Sequence, residues 1–320
     1  MTAVRVFSSG DPIADRRASF AETLAHLGDL PAALEAMSAA LDCAPNWTAG
    51  WFRYGEWCAL AERADDAKAA WERVLALDPT DVFGAGLKRD LLRGVPIRED
   101  MPPAFVELLF DQYAPRFEKS LTEKLGYRGP EALLSALGAA GFQRADKALD
   151  LGCGTGLAGV VLRDRVNWLA GYDLSSGMLA EASCKGIYDC LEKRDISQLE
   201  IGTEPYDLIV AADVFIYIGA LERVIGWCAG SLSPGGYLAF TVELGTAPVH
   251  LQPSQRFAHS QDYIEALLRD AGLNACLLLR DVIRKDRGDD VPALVVVSQA
   301  PLAPPRGLGD VGDDEIGAFA

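Results

Sequence analysis

Basic charge is scarce in this 320-residue chain: 30 Lys and Arg stand against 46 Asp and Glu, a formal net charge of −16. Nucleic-acid backbones are bound by clustered cations, so this balance argues against a DNA or RNA partner. No run of about 18 apolar residues occurs, which argues against a helical membrane span. Met1 to Gly10 lack the apolar core of a secretory signal. The 7 cysteines (43, 58, 153, 184, 190, 228 and 276) are dispersed without a C-x-x-C pair. Neither a disulfide framework nor a metal site is expected, and reduced thiols fit a cytoplasmic chain. Histidine is rarer still, with only 3, at positions 26, 250 and 259.

What is present falls into two unlike parts. Ala33, Met37, Leu41 and Pro45 recur 34 residues later as Ala67, Trp71, Leu75 and Pro79. Trp51 and Gly55 open the second copy, while the first has Arg17 and Ala21 in their place. This period, with its small residues, aromatics and closing proline, resembles the tetratricopeptide repeat. Each such repeat is a helix pair that cannot bury its apolar face alone. A helix near 82–92 is expected to cap them, so helical repeats are expected over 14–94, after a flexible N-terminus (1–13). They can pack against the next domain or another copy, or present a groove to a protein partner.

A proline-rich linker is expected over 95–103 and a second domain over 104–299, with a disordered acidic tail over 300–320. The second domain opens with a helical pattern over 104–125. Strands at 147–151, 168–173, 190–195, 206–212 and 236–243 then alternate with helices near 157–165, 176–184, 220–230 and 260–271. That alternation predicts an α/β fold with a doubly wound parallel sheet. Two β-rich runs, 277–283 and 293–298, add a terminal antiparallel hairpin, for seven strands in all.

Asp150, Leu151, Gly152, Cys153, Gly154, Thr155 and Gly156 carry the chemistry. An apolar strand ends in an acid and turns through three glycines into a helix, where a ligand can lie against bare backbone. A P-loop is excluded, because its lysine is missing. Gly154, Gly156 and Gly159 also satisfy a dinucleotide pattern, so the loop alone leaves its ligand open. Further acids close the later strands: Asp173, Asp195 and Asp213, followed by Pro234, Gly235 and Gly236. An acid such as Asp173 can accept ribose hydroxyls from either type of ligand.

With its acid-led glycine loop, strand-end acids and hairpin in this order, the chain resembles the class I S-adenosylmethionine-dependent methyltransferases over about 104–299. With the repeats in front, it looks like a bacterial group of predicted methyltransferases that carry tetratricopeptide repeats. The resemblance implies a Rossmann-like domain using S-adenosyl-L-methionine. Gly152, Cys153 (through its backbone), Gly154 and Gly156 would follow the methionine moiety, with Asp150 holding loop groups or the amino group. Asp173 would bind the ribose, Leu174 and Met178 would flank the adenine, and Asp195 and Ile196 would meet its edge. Asp213 and Val214 would sit near the sulfonium, and Tyr113 would cover the cofactor. Plainer readings stand beside these: Asp213 can cap a helix, Asp195 can be a turn residue, and Tyr113 can pack with Phe117 at i, i+4.

The methyl acceptor leaves less trace. His250 and His259 are candidates for a general base or substrate ligand, since imidazole titrates near neutrality, although His259 can equally pack or cap. Arg256 and Arg284 can bind an anionic group or pair with surface acids. Tyr188 and Tyr217 are wall candidates by position. No N/D-P-P-Y/F motif follows the fourth strand, and no Pro-Cys nucleophile occurs. A small-molecule acceptor methylated at O, N or S is expected. A protein acceptor recruited through the repeats and a non-catalytic S-adenosyl-binding scaffold are the alternatives.

Overall fold

The computed structural model describes residues 8–93, 101–202, 205–252, 254–286 and 288–302. The expected linker is thus described only from Met101, and most of the expected tail and the first seven residues lie outside the described residues. The N-terminal part consists of α1 (Pro12–His26), α2 (Leu30–Cys43), α3 (Thr48–Leu60), α4 (Ala64–Leu77) and α5 (Ala85–Arg93). Helix α1 begins inside the segment expected to be flexible. Asp11 caps it by accepting from the Ile13 and Ala14 N–H groups at 2.7 and 3.0 Å, and Pro12 supplies a preset φ at its start. The 34-residue period falls on the buried faces of α2 and α4, where Ala33, Met37, Ala67 and Trp71 are all enclosed. Gly55 lies so close to Trp71 that an added Cβ would come within 2.5 Å of the indole nitrogen. That close approach brings α3 and α4 together.

The second part opens with α6 (Pro103–Lys119), which runs into a π-helical turn at Ser120–Lys124, and continues with α7 (Gly129–Ala139). The sheet follows: β1 (Ala145–Leu151), β2 (Val166–Asp173), β3 (Cys190–Lys193), β4 (Tyr206–Ala211) and β5 (Leu232–Leu244). Between them run α8 (Leu157–Leu162), α9 (Ser176–Cys184) and α10 (Glu222–Gly230). β6 (Val249–Leu251) and β7 (Phe257–His259) precede α11 (Gln261–Asp270), and β8 (Asn274–Asp286) and β9 (Asp289–Gln299) end the sheet. Strands β3, β2, β1, β4 and β5 lie side by side in parallel, and β9 and β8 extend the sheet antiparallel beyond β5. Parallel strands need cover on both faces. Leu133 and Leu137 of α7 supply it on one face, and Ile225 of α10 with Ile264 and Leu268 of α11 on the other.

Two expectations need correction. The sheet has nine strands among the described residues, not seven, because 249–259 contains the β6–β7 hairpin. Glu243 of β5 pairs with Ala293 of β9 on one edge and with Ala258 of β7 on the other. β7 therefore occupies the edge of β5 that β4, ending at Ala211, leaves free. The terminal hairpin is also longer than expected. Its charged residues 284–286 continue β8, because pairing with β9 runs on to Asp286 and Asp289.

The two parts meet through one apolar cluster. Leu87 of α5 packs with Met101, Leu251 and Phe257, with Phe105 and Val106 of α6 against them. Met101, expected in a linker, is buried, and its N–H lies 3.4 Å from the Tyr217 carbonyl.

Candidate active site

At the carboxyl ends of β1 to β4 lies a cavity of about 550 Å³. Its floor is the turn after β1. Gly152, Gly154 and Gly156 all have positive φ, at 69, 52 and 91°. They are glycine for different reasons. A Cβ on Gly152 would meet Val214 at 2.4 Å, and one on Gly156 would press on Tyr188 at 3.0 Å. A Cβ on Gly154 would enter open space, with only Phe117 nearby at 4.0 Å.

Asp150, Gly152, Cys153 and Gly154 line the cavity, as do Asp173, Leu174, Met178, Asp195 and Ile196. Asp173 shapes the floor. One of its oxygens accepts from the Gly154 N–H and the other from the Ser175 N–H, both at 2.8 Å. Asp195 accepts from the Ser197 N–H at 2.9 Å, so the turn role and a place on the cavity wall coexist. The Asp150 carboxyl is buried, and burial pushes its pKa up to about 7 despite a 2.6 Å hydrogen bond from the Tyr188 hydroxyl. Its other oxygen is buried without a partner.

Beyond β4 the wall changes character. Asp213, Val214 and Tyr217 line it, with Arg256 and Arg284. Asp213 is not a helix cap, since Val214 starts the following turn. Its φ is 59°, a left-handed conformation uncommon for a side-chain-bearing residue, and its N–H donates to the Thr241 hydroxyl at 2.8 Å. Arg284 donates to Asp213 through one terminal nitrogen and to Glu243 through the other. The Arg284 and Glu243 side chains are each 3% exposed, so the guanidinium neutralises carboxylates that burial would otherwise penalise heavily. Arg256 donates to Asp286 at 3.1 Å. The apolar remainder comes largely from α6, including Phe105, Leu109 and Phe110. Asp111 straps that helix over the floor by accepting from the Ser175 hydroxyl at 2.5 Å and the Gly177 N–H at 3.0 Å.

Several expected residues lie elsewhere. Gly156 shapes the turn without lining the cavity. Tyr188 sits beneath the glycine turn, bonded to Asp150, and is no substrate wall. His259 does not line the cavity: it is fully buried, its Nε2 lies 3.0 Å from the Gly219 carbonyl, and its ring stacks on Tyr263. Burial lowers its pKa, so it is held neutral in the core and is unsuited to proton exchange with a ligand. His250 is exposed on β6, away from the cavity. The Tyr113 side chain lies outside the described residues. Thr155, Gln255 and the α6 apolar face also line the cavity, and Glu243 lies behind it, paired with Arg284. For Glu243 a signal existed: it is an acid inside an otherwise apolar strand, and such a charge needs a partner.

The family model for the methyltransferase domain matches residues 149–240, from β1 into β5. The chain carries an S-adenosylmethionine-dependent methyltransferase domain. S-adenosylmethionine is its cofactor, as the acid-led glycine turn and the later strand-end acids had indicated. The chain is similar to the malonyl-(acyl-carrier protein) O-methyltransferase of Enterobacter lignolyticus (strain SCF1), 28% identical over 180 residues, which cover 55% of this chain and 70% of that protein. It is also similar to the protein of that name from Calditerrivibrio nitroreducens, 30% identical over 136 residues, 41% of this chain and 51% of that protein. The (4+2)-cyclase SpnF shares the fold, with a TM-score of 0.53 at 16% identity over 65% of this chain and 99% of SpnF. A protein named as a cyclase on this fold shows that the fold by itself does not fix the reaction.

Proposed function

We propose that the chain transfers a methyl group from S-adenosylmethionine to a small-molecule acceptor. One observation carries the reading: a single cavity joins the ends of β1, β2 and β3 to the ends of β4 and β8, with unpartnered polar atoms in both halves. The residues fit the cofactor. Buried polar atoms are normally paired, so the free oxygen of Asp150 calls for a donor from a ligand. The open space over Gly154 is a cradle that any Cβ would fill. In this reading the glycine turn follows the methionine moiety, and Asp173 holds the ribose. Leu174, Met178, Asp195 and Ile196 surround the adenine, and Val214 lies near the sulfonium.

The bound sulfonium supplies an already activated methyl group, so the protein's task is positioning and exclusion of water. The strapped apolar helix α6 suits the second task. A second reading, a protein-borne acceptor recruited through tetratricopeptide-like helices, is favoured by the packing of α5 against Met101 and Phe105, which line the cavity.

A screen with methyl-labelled S-adenosylmethionine against metabolite and lysate fractions tests both. Label in the low-molecular-mass fraction, with S-adenosylhomocysteine formed, is the expected result. Label in protein bands would favour the second reading. Cofactor binding with no S-adenosylhomocysteine formed in any fraction would contradict catalysis.

A further inference from the structure

We infer that the methyl acceptor is a hydroxyl group on an apolar body, and that Asp213 takes its proton. This rests on the methyltransferase reading above and names the acceptor and a catalytic residue within it. The strand order divides the cavity. Asp150, Asp173 and Asp195 lie at the ends of β1, β2 and β3, whereas Asp213 and its charge partners come from the ends of β4, β5 and β8. Asp213 is immobilised from two directions: its N–H is bonded to Thr241 and one carboxylate oxygen to Arg284. The other oxygen is buried, faces no partner, and belongs to a residue that lines the cavity. Its backbone is held at φ 59°, and such strain is kept where surrounding structure over-determines it. The free oxygen lies opposite the one bonded to Arg284 and offers lone pairs to a donor.

Donors without partners face the same half. The Nε2 of Gln255 and the Nε of Arg284 are both buried and unpaired. Gln255 is itself held at φ 61°, in a turn closed by the Gln252 N–H donating to the Arg256 carbonyl at 2.8 Å. A ligand group that satisfies this half must donate once and also accept. A hydroxyl does both. An ammonium group offers no acceptor, and a carboxylate offers no donor. The charge count also disfavours a carboxylate. Asp213, Glu243 and Asp286 already set three negative groups against two guanidinium groups, Arg256 and Arg284.

The step balances without a further reactant. A lone pair of the hydroxyl oxygen forms the new bond to the methyl carbon, and the carbon–sulfur bond breaks with its pair left on sulfur. The O–H pair stays on the oxygen, and the proton passes to the free oxygen of Asp213, from which it returns to solvent on product release.

Binding tests this without knowing the natural acceptor. Full-length protein saturated with S-adenosylhomocysteine is titrated with benzyl alcohol, benzylamine and benzoate, and followed by ligand-observed NMR. The expected order is benzyl alcohol first, at least tenfold tighter than benzoate and severalfold tighter than benzylamine. Asp213→Asn keeps a residue that tolerates the left-handed backbone, and should erase the alcohol preference while S-adenosylhomocysteine affinity stays within threefold. Tightest binding of benzoate or benzylamine overturns the inference from the wild-type protein alone. So does an unchanged alcohol preference in Asp213→Asn. A tenfold loss of S-adenosylhomocysteine affinity in that variant at an unchanged unfolding midpoint would assign Asp213 to the cofactor instead. Failure of the wild-type protein to bind S-adenosylhomocysteine would strike the underlying reading, and it is seen before any acceptor probe is added.

Discussion

The cofactor half of the cavity draws its polar groups from residues 150–197, one continuous run of βα units, whereas the acceptor half gathers Met101, Asp213, Gln255 and Arg284 from segments far apart in the chain. The first half is held mainly by backbone: the Gly154 and Ser175 N–H groups fix Asp173, and the Ser197 N–H fixes Asp195. The second half is held by side-chain charge, with Arg284 tying Asp213 to Glu243. A backbone-built site tolerates changes in its neighbours, because peptide groups do not mutate. A charge-built site depends on each member, and losing one leaves the others buried and unpaired.

The sharpest way to break this contrast is Arg284→Met. It leaves the buried Glu243 and the partly buried Asp213 without their cation, and should cost about 3–5 kcal/mol of stability, read as a lowered urea midpoint. A loss near zero would mean that the acceptor half is not organised by charge.

Asp150→Asn acts on the cofactor half in the opposite direction. The folded pKa of Asp150, about 7, lies above the unfolded value of 3.8, so the folded state holds this proton more tightly. The stability this brings is present below about pH 4 and is lost as pH rises through about 7. Asn does not titrate. The variant should therefore be more stable than wild type at pH 8, by at most about 4 kcal/mol, with the gap closing towards pH 4. Thermal melts across that range check the sign, and a gap that widens on acidification would contradict it.

Leu87→Ala probes whether the helical part supports the acceptor half. It opens a cavity in the cluster with Met101, Leu251 and Phe257, at a cost of about 2–3 kcal/mol by denaturant unfolding. Hydrogen exchange should rise in β6 and β7 and stay unchanged in β1 and β2. Uniform acceleration would show that α5 stabilises the whole domain instead.

The same contrast explains what was legible beforehand. The cofactor half could be read because each acid closes a hydrophobic run, so position in sequence gave position on the sheet: Asp150, Asp173 and Asp195 all line the cavity. The βα alternation likewise placed β1 to β5 and α8 to α11 within a few residues. The acceptor half was legible only in part: Asp213, Tyr217, Arg256 and Arg284 line the cavity as expected, but the pairings that bring them together have no local pattern. β6 and β7 are three residues each, too short to show alternation in sequence, so nothing local decides whether His259 packs or serves a site. In the sheet its ring points into the core. The charged, polar run 284–290 reads as a turn in sequence, yet the β8–β9 ladder continues through Arg284 and buries its guanidinium. Position alone puts Tyr188 on the wall, but its hydroxyl donates to Asp150 and it does not line the cavity.

The division of the cavity is the claim on which the rest depends, and a pair of calorimetric titrations with S-adenosylhomocysteine tests it directly. Asp173→Ala should weaken binding at least tenfold, about 1.4 kcal/mol, while Asp213→Asn should change it less than threefold. Equal losses in both variants, or a loss confined to Asp213→Asn, would show that the two halves are not the separate sites described above.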